Sequence, residues 1–437
     1  MTSTRLPGRL AIGLALALAV PAVFAQAPVP AQAIPPAPVP PPPAFDPVSV
    51  LVGQLDLEKY KATIKGLTRF GDRRQGTQRN REALDWIEAQ LKSYGCSNIE
   101  RLQYQYTQPA PDAPAPARKP GLPSGGAGGP PGQGGSTLFG TRGPIGVNTD
   151  PMRQPDERLR ALNAEQTPVG TSLREDVYCT KVGTTHPEEM YIVSAHMDGI
   201  GFGEAANDDG SGTALVMELA RIFSAPGVTT ERSIRFALWN NEETGLNGAA
   251  AYAEQRKGLQ GIESPKGSGK YPEPKWLGLI QHDMMMFDHG MPVAQVDAAG
   301  KPLLDAQGHQ VYAPPKEQRR EADVNIEYQA ASKQADGSAR LAWAFRSAND
   351  KYATNYPAAV GFHMTNTDST PFMDLVPSIS LRENERGQQI GAGWNPHWHQ
   401  PTDLYVNYSD KDFLLGLNAA QTTLAGVAQL AGAKLQR

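Results

Sequence analysis

The 437-residue chain is short of several features that would have assigned it to a class at once. It has only two cysteines, Cys96 and Cys179, with no Cys-x-x-Cys spacing and no histidine beside either, which argues against a thiolate zinc site. It has no basic excess. Lys and Arg number 41 against 45 Asp and Glu, a formal charge of -4, so nothing in the charge invites nucleic acid or an anionic membrane surface as partner. Long apolar runs are scarce as well. The longest, Leu10 to Ala25, is too short and too Ala-rich for a membrane span. With Arg5 and Arg9 ahead of it and Val23-Phe24-Ala25 before Gln26, residues 1–25 read as a secretory signal, with an uncleaved anchor as the alternative, and no other segment could cross a bilayer. Export would carry the chain to an oxidising compartment, where Cys96 and Cys179 could pair; two inert buried thiols are the alternative. There is no internal repeat.

Glycine and proline, by contrast, are plentiful at 44 and 38 residues, but they cluster. Residues 26–45 are nearly all Ala, Pro, Val and Gln, a polyproline-type spacer with nothing to bury. Residues 108–137 are Pro, Gly, Ala and Ser with almost no large apolar side chain, which reads as a surface insertion. A hairpin excursion is expected at about 290–320, where Gly turns separate short alternating runs. The remainder, 46–437, reads as a single domain.

Within it, helix is expected over 55–66 and from Arg81 to Tyr94, where Leu84, Ile87, Leu91 and Tyr94 share a face and Gly95 follows as terminator. Strands are expected at Ile99–Tyr106 and Asp176–Val182, which could pair, and residues 138–170 read as loop. Tyr191-Ile192-Val193 is an apolar run that suits a strand buried on both faces, followed by a helical pattern in which Leu215, Leu219 and Ile222 align and Ser211 could cap the start. Further strands are expected at Ser233–Trp239, Trp276–Asp283 and Ser378–Leu381. Further helices are expected near Gly248, over Leu341–Tyr352, and from about Asp410 with Ser409 as cap. Strand and helix alternate, which predicts an α/β fold: a mostly parallel central sheet with helices on both faces.

The strand ends carry the chemistry. His196 and Asp198 close one strand, Glu242 and Glu243 another, and Asp283 a third, while Asp208 and Asp209 lie in the Gly-rich turn after the first. Open α/β sheets place their sites at this edge. So many carboxylates in one cleft repel one another unless cations offset them, and imidazole with carboxylate and no thiolate suits zinc, or less specifically manganese or cobalt. A water shared by two such ions is strongly acidified, and an adjacent carboxylate that is not a ligand can carry its proton.

The motifs AHMD (195–198), ANDDGSG (206–212), NEETGLNGA (241–249), HDM (282–284) and HQPTD (399–403), in this order, resemble the di-zinc aminopeptidase family that includes glutamate carboxypeptidase and the glutaminyl cyclases. The segment 67–95 is similar to that family's leading helices. The resemblance implies a zinc-exopeptidase fold and two Zn2+ ions. Asp208 would bridge them, His196 and Asp283 would complete one site, and Glu243 and His399 the other. Glu242 would be the general base, and Asp198 would orient the His196 ring through its other nitrogen. His397 is a rival to His399, and Asp209 to Asp208. Where that family has Ser-Asp-His before Pro-Phe, this chain has Thr367-Asp368-Ser369-Thr370-Pro371-Phe372, so the imidazole is missing. The expected function is an exported exopeptidase that removes the N-terminal residue of peptides. A single-zinc glutaminyl cyclase or a metallocarboxypeptidase of the same family is the alternative. Met284–Met286 is expected to be core.

Overall fold

Met190 and Ile192 pack into one apolar cluster, while Val193 and Ala195 pack into another on the opposite side. Successive strand residues point to opposite faces, so this alternation means a strand covered above and below. The computed structural model describes residues 45–110, 148, 150–288, 295–306, 311, 322–353, 355–364, 366–383 and 395–436. The expected signal at 1–25, the 26–45 spacer except Phe45, the 108–137 insertion beyond residue 110, and much of the 290–320 excursion lie outside them.

In chain order the elements are α1 (Pro47–Val52), α2 (Leu57–Thr68), α3 (Gln78–Ser93), β1 (Ile99–Gln108), α4 (Glu157–Leu162), β2 (Gly170–Lys181), β3 (His186–His196), α5 (Gly210–Phe223), β4 (Val228–Thr229), β5 (Arg232–Trp239), α6 (Asn247–Arg256), β6 (Lys275–His282), β7 (Val324–Glu327), α7 (Ala335–Tyr352), β8 (Ala358–Gly361), β9 (Ser378–Arg382), α8 (Asp410–Leu430) and β10 (Lys434–Leu435). Eight strands form one sheet in the order β1-β2-β5-β3-β6-β9-β7-β8. The central four, β5, β3, β6 and β9, are mutually parallel. β1 and β2 add antiparallel on one side, and β7 joins β9 antiparallel on the other. The fold is therefore α/β with a mostly parallel sheet, and the two faces are covered unequally. One face carries α2, α3, α5, α7 and α8, whereas the other is closed by α6 and by the Thr367–Val376 segment through Phe372 and Val376.

Most expected elements are present, and the differences have local causes. α3 starts at Gln78 because Thr77 accepts the Asn80 N–H. Residues 157–162 are helical rather than loop, capped by Asp156 and anchored by buried Leu159. β2 begins at Gly170, since β1 continues to Gln108 and pairs with the whole of it. Ser211 is not the cap of α5: the helix begins at Gly210, so Asp209 stands before it and accepts the Gly212 N–H at 3.0 Å. Ser409 does cap α8, in a reciprocal arrangement with Asp412. Met284, Met285 and Met286 are core. Cys96 and Cys179 form a disulfide, their Cα atoms 6.3 Å apart, which ties the chain just after α3 to β2.

Candidate metal centre

The parallel strands β3, β5 and β6 end side by side, and each delivers a polar residue to the same edge. His196 is the last residue of β3 and is 1% exposed. Its Nε2 lies 3.3 Å from Asp208 Oδ1 and 4.0 Å from Asp283 Oδ1. The second oxygen of Asp208 lies 3.1 Å from His399 Nε2, which is itself 2.9 Å from Glu243 Oε2. Two donor groups result, His196 with Asp208 and Asp283, and Asp208 with Glu243 and His399; within each, the ligand atoms all lie within 4.8 Å of one another. Asp208 belongs to both.

Four local devices hold these atoms. Asp403 accepts the backbone N–H groups of Asn207 and Asp208 at 2.9 and 3.1 Å, which fixes the turn that presents Asp208. Asp209 accepts from the N–H groups of His196, Gly212 and Met284 and so pins the ends of β3 and β6 to the start of α5. Asp198 accepts the Glu242 N–H at 3.0 Å, tying the turn after β5 to the end of β3. His399 has a positive φ of 56°, and its backbone passes so close to Gly201 that a Cβ there would lie 2.4 Å from the His399 carbonyl carbon. Only glycine fits at 201.

The rivals His397 and Asp209 lie elsewhere. His397 turns to Thr402, its Nδ1 2.9 Å from Oγ1, and packs edge-on against Tyr408. It belongs to neither donor group, and neither does the helix cap Asp209. Asp198 meets the His196 ring differently from expectation. The Asp198 backbone carbonyl is 3.0 Å from Nδ1, while its carboxylate stands at 3.8 Å because the Glu242 N–H engages it.

The model for peptidase family M28 matches residues 176–421. The chain belongs to peptidase family M28. Among curated relatives, carboxypeptidase Q of Xenopus laevis is 38% identical over 76 residues, 17% of this chain and 16% of that protein. Aminopeptidase YwaD of Bacillus subtilis (strain 168) is 41% identical over 69 residues, 16% of this chain and 14% of that one, so the likeness spans a small part of either relative. The solved BSAP, a zinc aminopeptidase from Bacillus subtilis, is similar in fold with a TM-score of 0.53 at 14% identity, covering 86% of this chain and 95% of that one.

The M28 centre fits a divalent cation by its donor chemistry: imidazole nitrogen and carboxylate oxygen in each group, with both cysteines locked away in the disulfide. Buried Glu243 Oε1 and His399 Nδ1 have no hydrogen-bond partner, an expense that a bound cation at Glu243 would offset. The electrostatics are correspondingly stressed. Burial opposes charge on Asp208, but the bonds from His196 and His399 outweigh it and hold this carboxyl well below the usual range. Burial also opposes charge on the two imidazoles, yet the acidic neighbours, Glu242 foremost for His196 and Glu243 for His399, push His196 well up and His399 to about 10. Burial, reinforced by neighbouring acids, pushes Glu243 up to about 7 and Glu242 well above the carboxylate range.

Two arginines at this centre were invisible in the sequence. Buried Arg73 donates to the backbone carbonyls of Met197, Glu204 and Ala205, each at 2.8 Å, and so braces the loop between His196 and Asp208. Buried Arg382, at the end of β9, grips Asp283 Oδ2. A lone arginine in a sequence usually marks a solvated surface, so no local signal distinguished either. Asp368, next to the Ser369 that stands in place of an imidazole, is fully buried, 3.5 Å from Gln281 Nε2.

Proposed function

We propose that this M28 chain is an exported di-zinc aminopeptidase acting on the free N-terminus of peptides. The observation that carries the reading is the double use of Asp208, one oxygen toward the His196 group and the other toward the His399 group. Zinc, when bound, supplies Lewis acidity and an acidified water. Glu242 belongs to neither donor group, and its backbone is tethered by Asp198. Its carboxylate would serve as the general base, taking a proton from the attacking water and returning it to the leaving amine. A carboxyl whose affinity for protons is raised by burial and by the surrounding acids suits that exchange near neutral pH. Manganese or cobalt could replace zinc on the same ligands. Peptides are the partners; no helix among the described residues is long and apolar enough to cross a membrane.

Glu242→Gln tests the base. Turnover of aminoacyl anilides should fall about 10²–10⁴-fold, while zinc content and melting temperature stay at wild-type values. Undiminished turnover in that variant removes Glu242 from the reaction. Chelation should abolish hydrolysis and added zinc restore it. The 38% identity to carboxypeptidase Q supports a second reading, cleavage from the other terminus. N-acetyl dipeptides and dipeptide amides separate the two: an aminopeptidase cleaves the amide and spares the acetylated peptide, and a carboxypeptidase does the reverse. Pyroglutamate released from an N-terminal Gln peptide by a chain carrying one zinc would favour the cyclase. Export is tested by sequencing the mature N-terminus, which should begin at Gln26.

A further inference from the structure

The two donor groups are not electrically equivalent. Asp283 presents Oδ1 toward His196, but its Oδ2 is held by the Nη2 of Arg382. That guanidinium is 2% exposed, and its Nε has no partner. Its place follows from the sheet: β9 runs parallel to β6, with Leu381 opposite His282, so the residues that follow these two, Arg382 and Asp283, emerge at the same edge. In the other group, Glu243 points Oε2 at His399 and leaves Oε1 without any partner. Among the described residues no Lys or Arg makes an ion pair with Glu243.

We propose that Arg382 makes the two metal positions unequal, so that the position of His196, Asp208 and Asp283 holds its cation more weakly than that of Asp208, Glu243 and His399. The proposal rests on the di-zinc reading above. A carboxylate shared with a guanidinium has less charge to give a metal ion. A fixed positive charge on the far side of that ligand also repels a divalent cation, strongly so in a buried site where the effective dielectric constant is low. The guanidinium has an opposing effect as well, since it orients Asp283, and fixing a ligand in this way is worth about 10–100-fold in metal affinity. Charge should win: one positive charge and a divalent cation separated by a single carboxyl group interact by more than that factor even at an effective dielectric constant of about 20. Glu243, which among the described residues pairs with no Lys or Arg and has a second oxygen to offer, has neither handicap. Arg382 is thus a positioning residue that also sets how readily one of the two ions exchanges.

The test is a stepwise zinc titration of the full chain against a chelator of known affinity, with bound metal counted directly, so that the readout is not activity. Wild type should release its two ions at well-separated chelator concentrations. Arg382→Gln keeps a hydrogen-bond donor for Asp283 but removes the charge. It should tighten the weaker ion by about tenfold or more and leave the tighter one nearly unchanged. Arg382→Lys keeps the charge and should titrate like wild type. Equal affinities in wild type, or an Arg382→Gln chain whose weaker ion is unchanged or looser, overturns the proposal. A wild-type chain that binds one zinc or none instead overturns the di-zinc reading itself. If Arg382→Gln fails to fold, ligand variants decide: His196→Ala should retain one tightly held ion and His399→Ala only a weakly held one, and the reverse order overturns the assignment.

Discussion

Two of the regions in which this molecule buries charge treat it in opposite ways. Behind the sheet, on the face closed by α6, Arg235 is 1% exposed and fully engaged. It donates to Thr180 Oγ1 at 3.0 Å, to Glu273 Oε2 at 2.5 Å, to the Pro272 carbonyl at 3.1 Å and to the Tyr252 hydroxyl, with its guanidinium 4.5 Å from the centre of the Tyr178 ring. Glu273 is equally occupied, by Tyr252 and by the Trp276 indole. At the strand-end edge, Asp198 Oδ2, Glu243 Oε1, His399 Nδ1, Asp368 Oδ1 and Arg382 Nε are all buried and unpartnered. In the first region the buried charges, Arg235 and Glu273, form a closed set in which each meets its partners. The second is an open set in which acids outnumber the groups that could neutralise them. A protein tolerates an open set of buried charge where something else is to complete it.

The largest effect expected from this contrast is on the closed side. Arg235→Met leaves Glu273 charged, buried and unpaired, and should cost about 3–5 kcal/mol of stability. Denaturant unfolding measures it, and zinc stoichiometry of the folded fraction should not change. A loss of zinc in that variant would mean the two regions are coupled.

His282 sits on the border. It precedes the candidate ligand Asp283 in the chain, yet it belongs with the closed set, its Nδ1 at 3.0 Å from the Ser194 carbonyl and its Nε2 at 2.8 Å from Thr423 Oγ1. Burial pushes its pKa down to about 4, from the ordinary 6.5. Between those values the unfolded chain binds a proton that the native protein refuses, so stability falls as the pH drops. The contribution of His282 to the slope for zinc-free protein should be about 1.4 kcal/mol per pH unit from pH 6.5 toward 4. Urea midpoints at pH 7 and pH 5 should show a smaller difference for His282→Gln than for wild type. An identical difference in the two proteins would show that His282 does not titrate this way.

Asp403 offers the smallest and most local test. Asparagine there would point an amide N–H₂ at one of the two backbone N–H groups that the carboxylate now accepts. Zinc affinity of Asp403→Asn should fall about 10–100-fold, roughly 1.4–2.7 kcal/mol, with little change in folding. Unaltered affinity would mean that Asp208 is held as redundantly as Arg235.

Three of the candidate ligands were legible because they lie in compact local patterns at the ends of readable strands: His196 after Tyr191-Ile192-Val193, Glu243 after β5, Asp283 after β6. The central sheet was legible for the same reason. Its strands carry apolar runs, such as Tyr191-Ile192-Val193 in β3 and Phe236–Trp239 in β5, as burial on both faces favours. What escaped the reading was short or solitary. β7 and β8 have four residues each, too few for an alternation to register. Asp209 could be named as a turn residue, but its part in joining β3, α5 and β6 depends on N–H groups at 196, 212 and 284, which no window of sequence contains.

The sequence by itself determined which atoms were on offer, imidazoles and carboxylates without a thiolate zinc spacing, and the alternation of strand and helix that sends them to one edge. Both are short-range properties, set by side-chain chemistry and by the period of the local chain. Only the tertiary structure decided that His399 rather than His397 turns inward, that Asp208 divides its two oxygens between two groups, and that Arg382 stands behind Asp283. Those choices follow from strand order and close backbone approach between segments some 200 residues apart in numbering, such as Asn207 and Asp403, whose separation of 196 positions is closed to a single 2.9 Å hydrogen bond.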